Sequence, residues 1–145
     1  MLTMEKNFLM PYKQFFLFVL GGSLYYIIEI LYRGYSHWTM FMAGGIIFLF
    51  AGYQSHTHSS DYPFWKETLH VWLFALCVEF STGCLVNLRL GWNVWDYSNL
   101  PFNLFGQVCL PFALMFLPLC AAAIILDNYI CYWLFQDKKP KYKIF

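Results

Sequence analysis

Charged residues are scarce in this chain of 145 residues. They make up 12% of it, against 60% for apolar residues and 23% for aromatic residues. A soluble domain has about 25% charged residues, so the composition excludes an ordinary soluble globular protein. The formal net charge of +1 provides no basic surface of the kind that binds nucleic acid. The length allows one domain, and we expect residues 1–145 to form it.

Several sequence motifs of catalysis and nucleotide binding are also missing. The sequence contains no GxxxxGK[ST] loop, so the chain by itself does not bind ATP in the P-loop manner. It contains no GxSxG, HExxH or Cys–His signature either. The sequence therefore indicates no cofactor, and it leaves open whether the chain is an enzyme.

The cysteines and histidines form no recognisable metal or disulfide pattern. All five cysteines lie in apolar stretches without a CxxC pair, and we expect them to be small packing residues. His56 and His58 form an HxH pair, but a metal site needs three or four ligands held in geometry. The sequence predicts no metal.

Long apolar runs are what the sequence has instead. They cover about residues 14–32, 39–54, 68–88 and 106–126. Each is about long enough to cross a bilayer, which takes roughly 20 residues. We therefore predict an all-α, polytopic integral membrane protein, built as a four-helix transmembrane bundle in contact with the lipid bilayer. The second run is rich in glycine, which favours close packing inside such a bundle.

The distribution of positive charge predicts an orientation. In a four-helix arrangement Arg33 and Arg89 fall on one side of the membrane, and the lysines fall on the other. These lysines are Lys6, Lys13, Lys66, Lys138, Lys139, Lys141 and Lys143. The positive-inside rule then places both termini, including the basic tail 136–145, in the cytoplasm of a multi-pass cell-membrane protein.

Two glutamates lie inside the apolar runs, Glu29 in the first and Glu79 in the third. A carboxylate in hydrocarbon costs at least a few kcal/mol, so such residues face a bundle interior or a wet cavity and mark a candidate site. Glu29 and Arg33 are spaced i, i+4 with the acid first, which favours an intrahelical pair. These residues predict a buried polar site in the outer half of the membrane. The alternative is a structural ion network that fixes helix register.

The segment between the third and fourth runs is too polar to span and too aromatic to be a free loop. Trp95 and Tyr97 are typical of the membrane interface, and Asp96 begins a turn-forming stretch. Irregular backbone at membrane depth needs cover from protein or water. We predict a re-entrant or interfacial segment; the alternative is a surface loop anchored by tryptophans. His37 is a further candidate, as a proton-relay partner or an interface residue.

The candidates for a substrate or ion site share polarity and a position near the outer half of the bundle. They are Glu29, Arg33, His37, Glu79, Asn87, Arg89, Trp95, Asp96, Tyr97, Asn103 and Gln107.

Three sequence blocks together resemble a known family. They are GGSLYYIIEILYRGYSHWTMF at 21–41, EFSTG at 79–83 and WDYS at 95–98. These blocks resemble the CmpB-type family of ABC-transporter permeases, small four-helix bacterial membrane proteins, over about residues 12–127. The resemblance implies a membrane protein involved in transport and assigns no catalytic residue.

Three functions are compatible with these observations. The favoured one is a transporter or permease-type subunit, which would need a homo-oligomer or a partner membrane protein, and a separate ATPase docking near residues 56–67. The first alternative is a membrane-embedded enzyme or binding protein for a lipid or lipid-linked substrate. The second is a non-catalytic membrane scaffold.

Overall fold

The computed structural model describes residues 10–145, which fold into four α-helices without a β-strand. The helices are α1 (Pro11–Arg33), α2 (Trp38–Thr57), α3 (Phe64–Gly83) and α4 (Leu110–Phe135). The predicted all-α class is confirmed. Lys6, which the sequence prediction of orientation used, lies outside the described residues.

A short turn makes α1 and α2 antiparallel neighbours. Gly34 ends α1 with a left-handed φ of 83°, and its N–H donates to the Ile30 carbonyl at 2.8 Å. This conformation suits glycine because it has no Cβ. His37 then caps α2, its ring nitrogen accepting from the Thr39 N–H at 3.3 Å.

The third helix changes geometry before it ends. α3 continues without a break into a π-helix, Cys84–Arg89. Such π-helical turns are rare and often occur at functional sites. When the π-helix is counted with α3, the first three helices have bounds within four residues of the predicted runs.

The fourth helix differs from the predicted run at 106–126. It begins at Leu110, because Gly106 (φ 71°) and the bridge between Leu104 and Val108 turn the chain before it. It ends nine residues later than predicted, at Phe135. Asp127 was expected to lie beyond the helix end, but it is fully buried inside α4.

Three of the four helices are long and apolar enough to cross a membrane: α1, α3 with its π-helical extension, and α4. α2 is not among them, although four such runs were predicted. Its last turns are polar (Gln54–Thr57), and it carries three glycines. α2 also has more buried residues than any of the other three helices, and it contacts all of them.

Two contacts show which helix ends lie together. The Lys13 ammonium pairs with the Asp137 carboxylate at 2.7 Å, so the start of α1 lies beside the end of α4. The Phe64 N–H donates to the Lys143 carbonyl at 2.7 Å, which ties the C-terminal tail to the start of α3. We call this the basic end of the bundle. The opposite end, covered by residues 90–109, is the loop end.

Candidate functional site

Glu79 lies at the centre of a polar group near the loop end. It projects from α3 into the bundle and is only 5% exposed. The Tyr97 hydroxyl donates to Glu79 Oε1 at 3.5 Å. Tyr97 itself is stacked on Phe112 of α4, with ring centroids 4.8 Å apart. The 90–109 segment therefore places the Tyr97 hydroxyl against the Glu79 carboxylate, which projects from α3 into the bundle.

Glu29 and Arg33 form the second half of this group. They make an intrahelical ion pair on α1, and an Arg33 amino group donates to the Val94 carbonyl at 3.4 Å. Both residues are close enough to act electrostatically on Glu79. Tyr25, one turn before Glu29, lies within reach of both glutamates. We call Tyr25, Glu29, Arg33, Glu79 and Tyr97 the glutamate site.

The charges of the glutamate site do not cancel. Two carboxylates face one guanidinium, so the group carries an excess negative charge when both glutamates are ionised. Burial raises the pKa of Tyr97 well above its ordinary value, with Glu79 adding to the effect, so Tyr97 stays a neutral hydrogen-bond donor. Chemically, the site is suited to a proton, a cation or a cationic headgroup.

Asn87 and Gln107 form a separate network that shapes the loop end. The Asn87 oxygen accepts from the Val94 N–H at 2.7 Å, and its amide donates to Gln107 Oε1 at 2.8 Å. The Trp95 indole N–H donates to the Gln107 carbonyl at 2.9 Å. All three side chains are buried. Each of these predicted site residues is engaged in fixing the 90–109 segment over the bundle.

Asp96 and Asn103 lie in an exposed turn of the same segment, away from the two glutamates. The Ser98 N–H donates to Asp96 Oδ1 at 2.9 Å, and the Ser98 hydroxyl donates to the same oxygen. These bonds lower the pKa of the Asp96 carboxyl. The Asn103 amide donates to the Leu100 carbonyl at 3.0 Å, and its oxygen accepts from the Gly106 N–H at 3.1 Å. Both residues stabilise the turn.

His37 and Arg89 also lie apart from the glutamate site. His37 caps α2 and packs against Trp92, with ring centroids 5.6 Å apart. Arg89 is exposed at the end of the π-helix, and it forms no ion pair or hydrogen bond through its side chain with residues 10–145.

A second polar cluster at the basic end was not predicted. Asp127 and Lys13 are buried to 0% and 2% exposure, and the His56 ring nitrogen lies 3.4 Å from Asp127 Oδ2. Cys131 and Asp137 complete this cluster. The spacing of Asp127 and Cys131, i and i+4 on one helix face, was the one available signal. It was missed because Asp127 was interpreted as the end of the run.

An open cleft of about 570 Å³ adjoins this cluster. Its walls are the α2–α3 turn, the start of α3 and the basic tail. Polar and charged residues from both sides face it, among them His56, Glu67 and Asp137. In the tail, burial raises the pKa of the Tyr142 hydroxyl, which accepts from the Asn128 amide at 3.2 Å.

Comparison with known proteins gives a family match over nearly the whole chain. The model of one protein family, CmpB, described as "Putative ABC-transporter type IV", matches residues 15–144. That range contains all three motif blocks and both polar groups except Lys13. No curated protein and no solved structure matches the chain significantly.

Proposed function

The chain belongs to the CmpB family, described as "Putative ABC-transporter type IV", and we propose that it is the membrane subunit that forms a transporter's substrate path. The observation that carries this proposal is the glutamate site, a group of two carboxylates and one guanidinium among membrane-length helices, with Glu79 buried. Ionisable groups in such positions mark substrate, ion or proton pathways more often than simple packing. The chain has no P-loop of its own, so ATP hydrolysis falls to a separate subunit.

The two ends of the bundle support an orientation. Six described lysines, at positions 13, 66, 138, 139, 141 and 143, belong to the start of α1, the start of α3 or the tail, all at the basic end. Arg33 and Arg89 belong to the loop end. By the positive-inside rule the basic end, with both termini, is cytoplasmic, and the loop end faces outward.

The α2–α3 turn is the proposed docking surface for the ATPase. It lies at the basic end, and exposed residues of polar and apolar kind occur in it and in the adjoining first turn of α3, Asp61 in the former and Trp65 in the latter. Exposed aromatic residues beside charges are typical anchors of protein interfaces. The glutamate site lies at the far end of the bundle, so the same helices connect the two positions.

Affinity purification of the tagged chain from its own membrane in mild detergent tests the partnership. We expect an ATPase with a P-loop sequence to copurify, identified by mass spectrometry. The double variant Asp61→Lys/Trp65→Ala should lose it. The matched control Phe102→Ala removes an aromatic side chain that is 82% exposed at the loop end and should retain it. If no ATPase is recovered with the unmodified chain, the proposal fails.

The glutamate site has its own test within the same complex. Glu79→Gln keeps the shape of the side chain but removes its charge. We expect this variant to assemble with the ATPase as the unmodified chain does, while substrate-stimulated ATP hydrolysis drops at least tenfold. Tyr97→Phe should weaken stimulation less, since it removes a neutral donor. If Glu79→Gln retains full stimulation, the glutamate site is not the substrate path.

A specific observation favours a lipid or lipid-linked substrate as the second candidate. An apolar groove of about 220 Å³ lies between α1, α2 and α4, and Tyr25 lines it. Tyr25 also belongs to the glutamate site, so an acyl chain in the groove would place its headgroup near the two carboxylates. Native mass spectrometry should then detect a bound lipid that is lost when Ala123, on the groove wall, is replaced by Phe.

A further inference from the structure

The cluster at the basic end brings together three metal-ligating side chains, and Asp127 adjoins two of them. One ligand atom each from His56, Cys131 and Asp137 lie within 4.8 Å of one another. Asp127 Oδ2 lies 3.4 Å from His56 Nε2 and 3.9 Å from Cys131 Sγ. Three ligands from the end of α4 and the first residues of the tail therefore meet His56 of α2, which is about 70 residues away in the sequence.

The cluster contains more carboxylates than ammonium groups. Asp127 and Asp137 are two buried or nearly buried carboxylates, and Lys13 supplies one positive charge, through its contact with Asp137 at 2.7 Å. Asp127 has the His56 ring 3.4 Å from its Oδ2, a contact that balances its charge only if that ring is protonated. Its side chain is 0% exposed, and its Oδ1 has no hydrogen-bond partner among residues 10–145. A buried carboxylate oxygen without a partner is destabilising, so a cation bound at Asp127 would stabilise the cluster.

The backbone around Asp127 is arranged to keep this carboxylate in place. A Cβ on Gly52 of α2 would lie 2.7 and 2.8 Å from its two oxygens. Only glycine lets the carboxylate approach α2 so closely, and His56 lies one turn further along the same helix.

We propose that His56, Asp127, Cys131 and Asp137 bind a divalent transition-metal ion of the zinc class. Imidazole, thiolate and carboxylate are the donors that Zn²⁺ takes, usually four of them in a tetrahedron. The Cys131 thiol releases its proton to solvent on binding. Two carboxylates and one thiolate then carry three negative charges, which the metal and Lys13 balance. The site does not depend on the proposed transport function, and the adjoining cleft, which His56 and Asp137 line, gives the ion a route in.

Lys13 competes with the metal for the same carboxylate. Its ammonium contacts Asp137 and is close enough to act on the Cys131 thiol as well. When this charge is removed, the metal should bind more tightly. A purely structural ion network would instead lose stability and would gain no affinity for a metal.

Cobalt(II) titration of the full-length protein in detergent, followed by absorption spectroscopy, is the test. We expect a saturable one-to-one signal with a thiolate-to-cobalt charge-transfer band and the intense d–d bands of a tetrahedral site, which Zn²⁺ then abolishes. Cys131→Ser should lose the charge-transfer band and weaken binding at least tenfold. Cys120→Ser is the matched control, because Cys120 is a buried cysteine on the same helix outside the cluster, and it should keep both.

Lys13→Met keeps the proposal falsifiable if Cys131→Ser does not fold. We expect this variant to bind Co²⁺ several-fold more tightly than the unmodified chain. The proposal is overturned if the unmodified protein shows no thiolate band, or if Cys131→Ser binds as well as Cys120→Ser. It is also overturned if infrared spectroscopy of the metal-free and Co²⁺-treated protein shows Asp127 protonated in both, since a proton then supplies the missing charge.

Discussion

The Asn87 side chain secures the 90–109 segment with a single amide group. It is 8% exposed and satisfies the Val94 N–H and Gln107 Oε1 at once. Asn87→Ala leaves both groups buried without a partner, which costs about 1–3 kcal/mol per group. We expect a clear fall in the thermal midpoint in detergent and a red-shifted emission from Trp95, as water reaches its ring.

Asn99→Ala is the control for this substitution. Asn99 lies in the same segment but is exposed, and its side chain makes no hydrogen bond with the described residues. Its replacement should change the thermal midpoint little, since exposed positions without such partners stay within about 0.5 kcal/mol. Equal midpoints for the two variants would show that Asn87 does not hold the segment.

The Asp96 carboxyl should titrate below its ordinary range. Two hydrogen bonds from Ser98 favour the charged form. The turn is therefore stabilised above the ordinary pKa of aspartate, and this contribution is lost as the pH falls through the lowered value. Carboxyl NMR titration should show Ser98→Ala raising the pKa of Asp96 toward normal. Ser60→Ala, at the basic end, should leave it unchanged, and an equal effect of both would contradict the assignment.

At the scale of residues, the sequence predicted which charged residues are candidates for the site better than it predicted which side chains contact them. Glu29, Arg33 and Glu79 were identifiable because a charge inside an apolar run has few physical explanations. The pairing of Glu79 with Tyr97 was not, because it depends on how an irregular segment folds back over the bundle. Asp127 was missed for a related reason. An acidic residue at the end of an apolar run gives the same sequence pattern in two cases. The helix can end at that residue, or it can continue and bury the residue's side chain.

The α1–α2 seam is the element where glycine matters most. A Cβ on Gly44 would overlap the Cβ of Tyr25, which is fixed to the backbone. The three atoms nearest to a Cβ on Gly45 all belong to the ring of Phe18, the closest at 2.6 Å, and that ring can rotate away. Gly44→Ala should therefore lower the free energy of unfolding by about 1–3 kcal/mol. Gly45→Ala should be close to neutral, since alanine gains about 1 kcal/mol of helix propensity.

Unfolding by sodium dodecyl sulfate in mixed micelles measures both variants on one scale. Gly44→Ala should also displace Tyr25 and disturb the glutamate site, while Gly45→Ala should leave it intact. If the free energy of unfolding falls by the same amount in both variants, the close approach of α1 and α2 does not depend on the contact between Gly44 and Tyr25.

At the scale of elements, the presence of each helix was predictable from the sequence. Its helix type and its ability to span a membrane were less so. The apolar runs located all four helices, because each must bury or expose a continuous apolar face. The π-helical end of α3 left no trace in the pattern, since its residues are as apolar as the α-helical turns before it. α2 was counted as a spanning run on length, but its last turn is polar, and its glycines allow close contact with the other helices.

The whole molecule has two chemically different ends, and the orientation across the membrane follows from them. Ser60 lies exposed in the α2–α3 turn at the basic end, and Asn99 lies exposed in the 90–109 segment at the loop end. In intact cells a membrane-impermeant maleimide should label Asn99→Cys and leave Ser60→Cys unlabelled until the membrane is permeabilised. The unmodified chain, whose cysteines all lie within the helices or at their ends, supplies the background.

Each other labelling pattern has a distinct physical meaning. Label on Ser60→Cys alone in intact cells would place the lysines outside and reverse the positive-inside orientation. Label on both would mean that the two ends lie on the same side of the membrane. That outcome would contradict the proposed orientation, because α3 and its π-helical extension, which are long enough to cross a membrane, separate residue 60 from residue 99. Because the metal cluster belongs to the basic end, the expected pattern would also place its cleft in the cytoplasm.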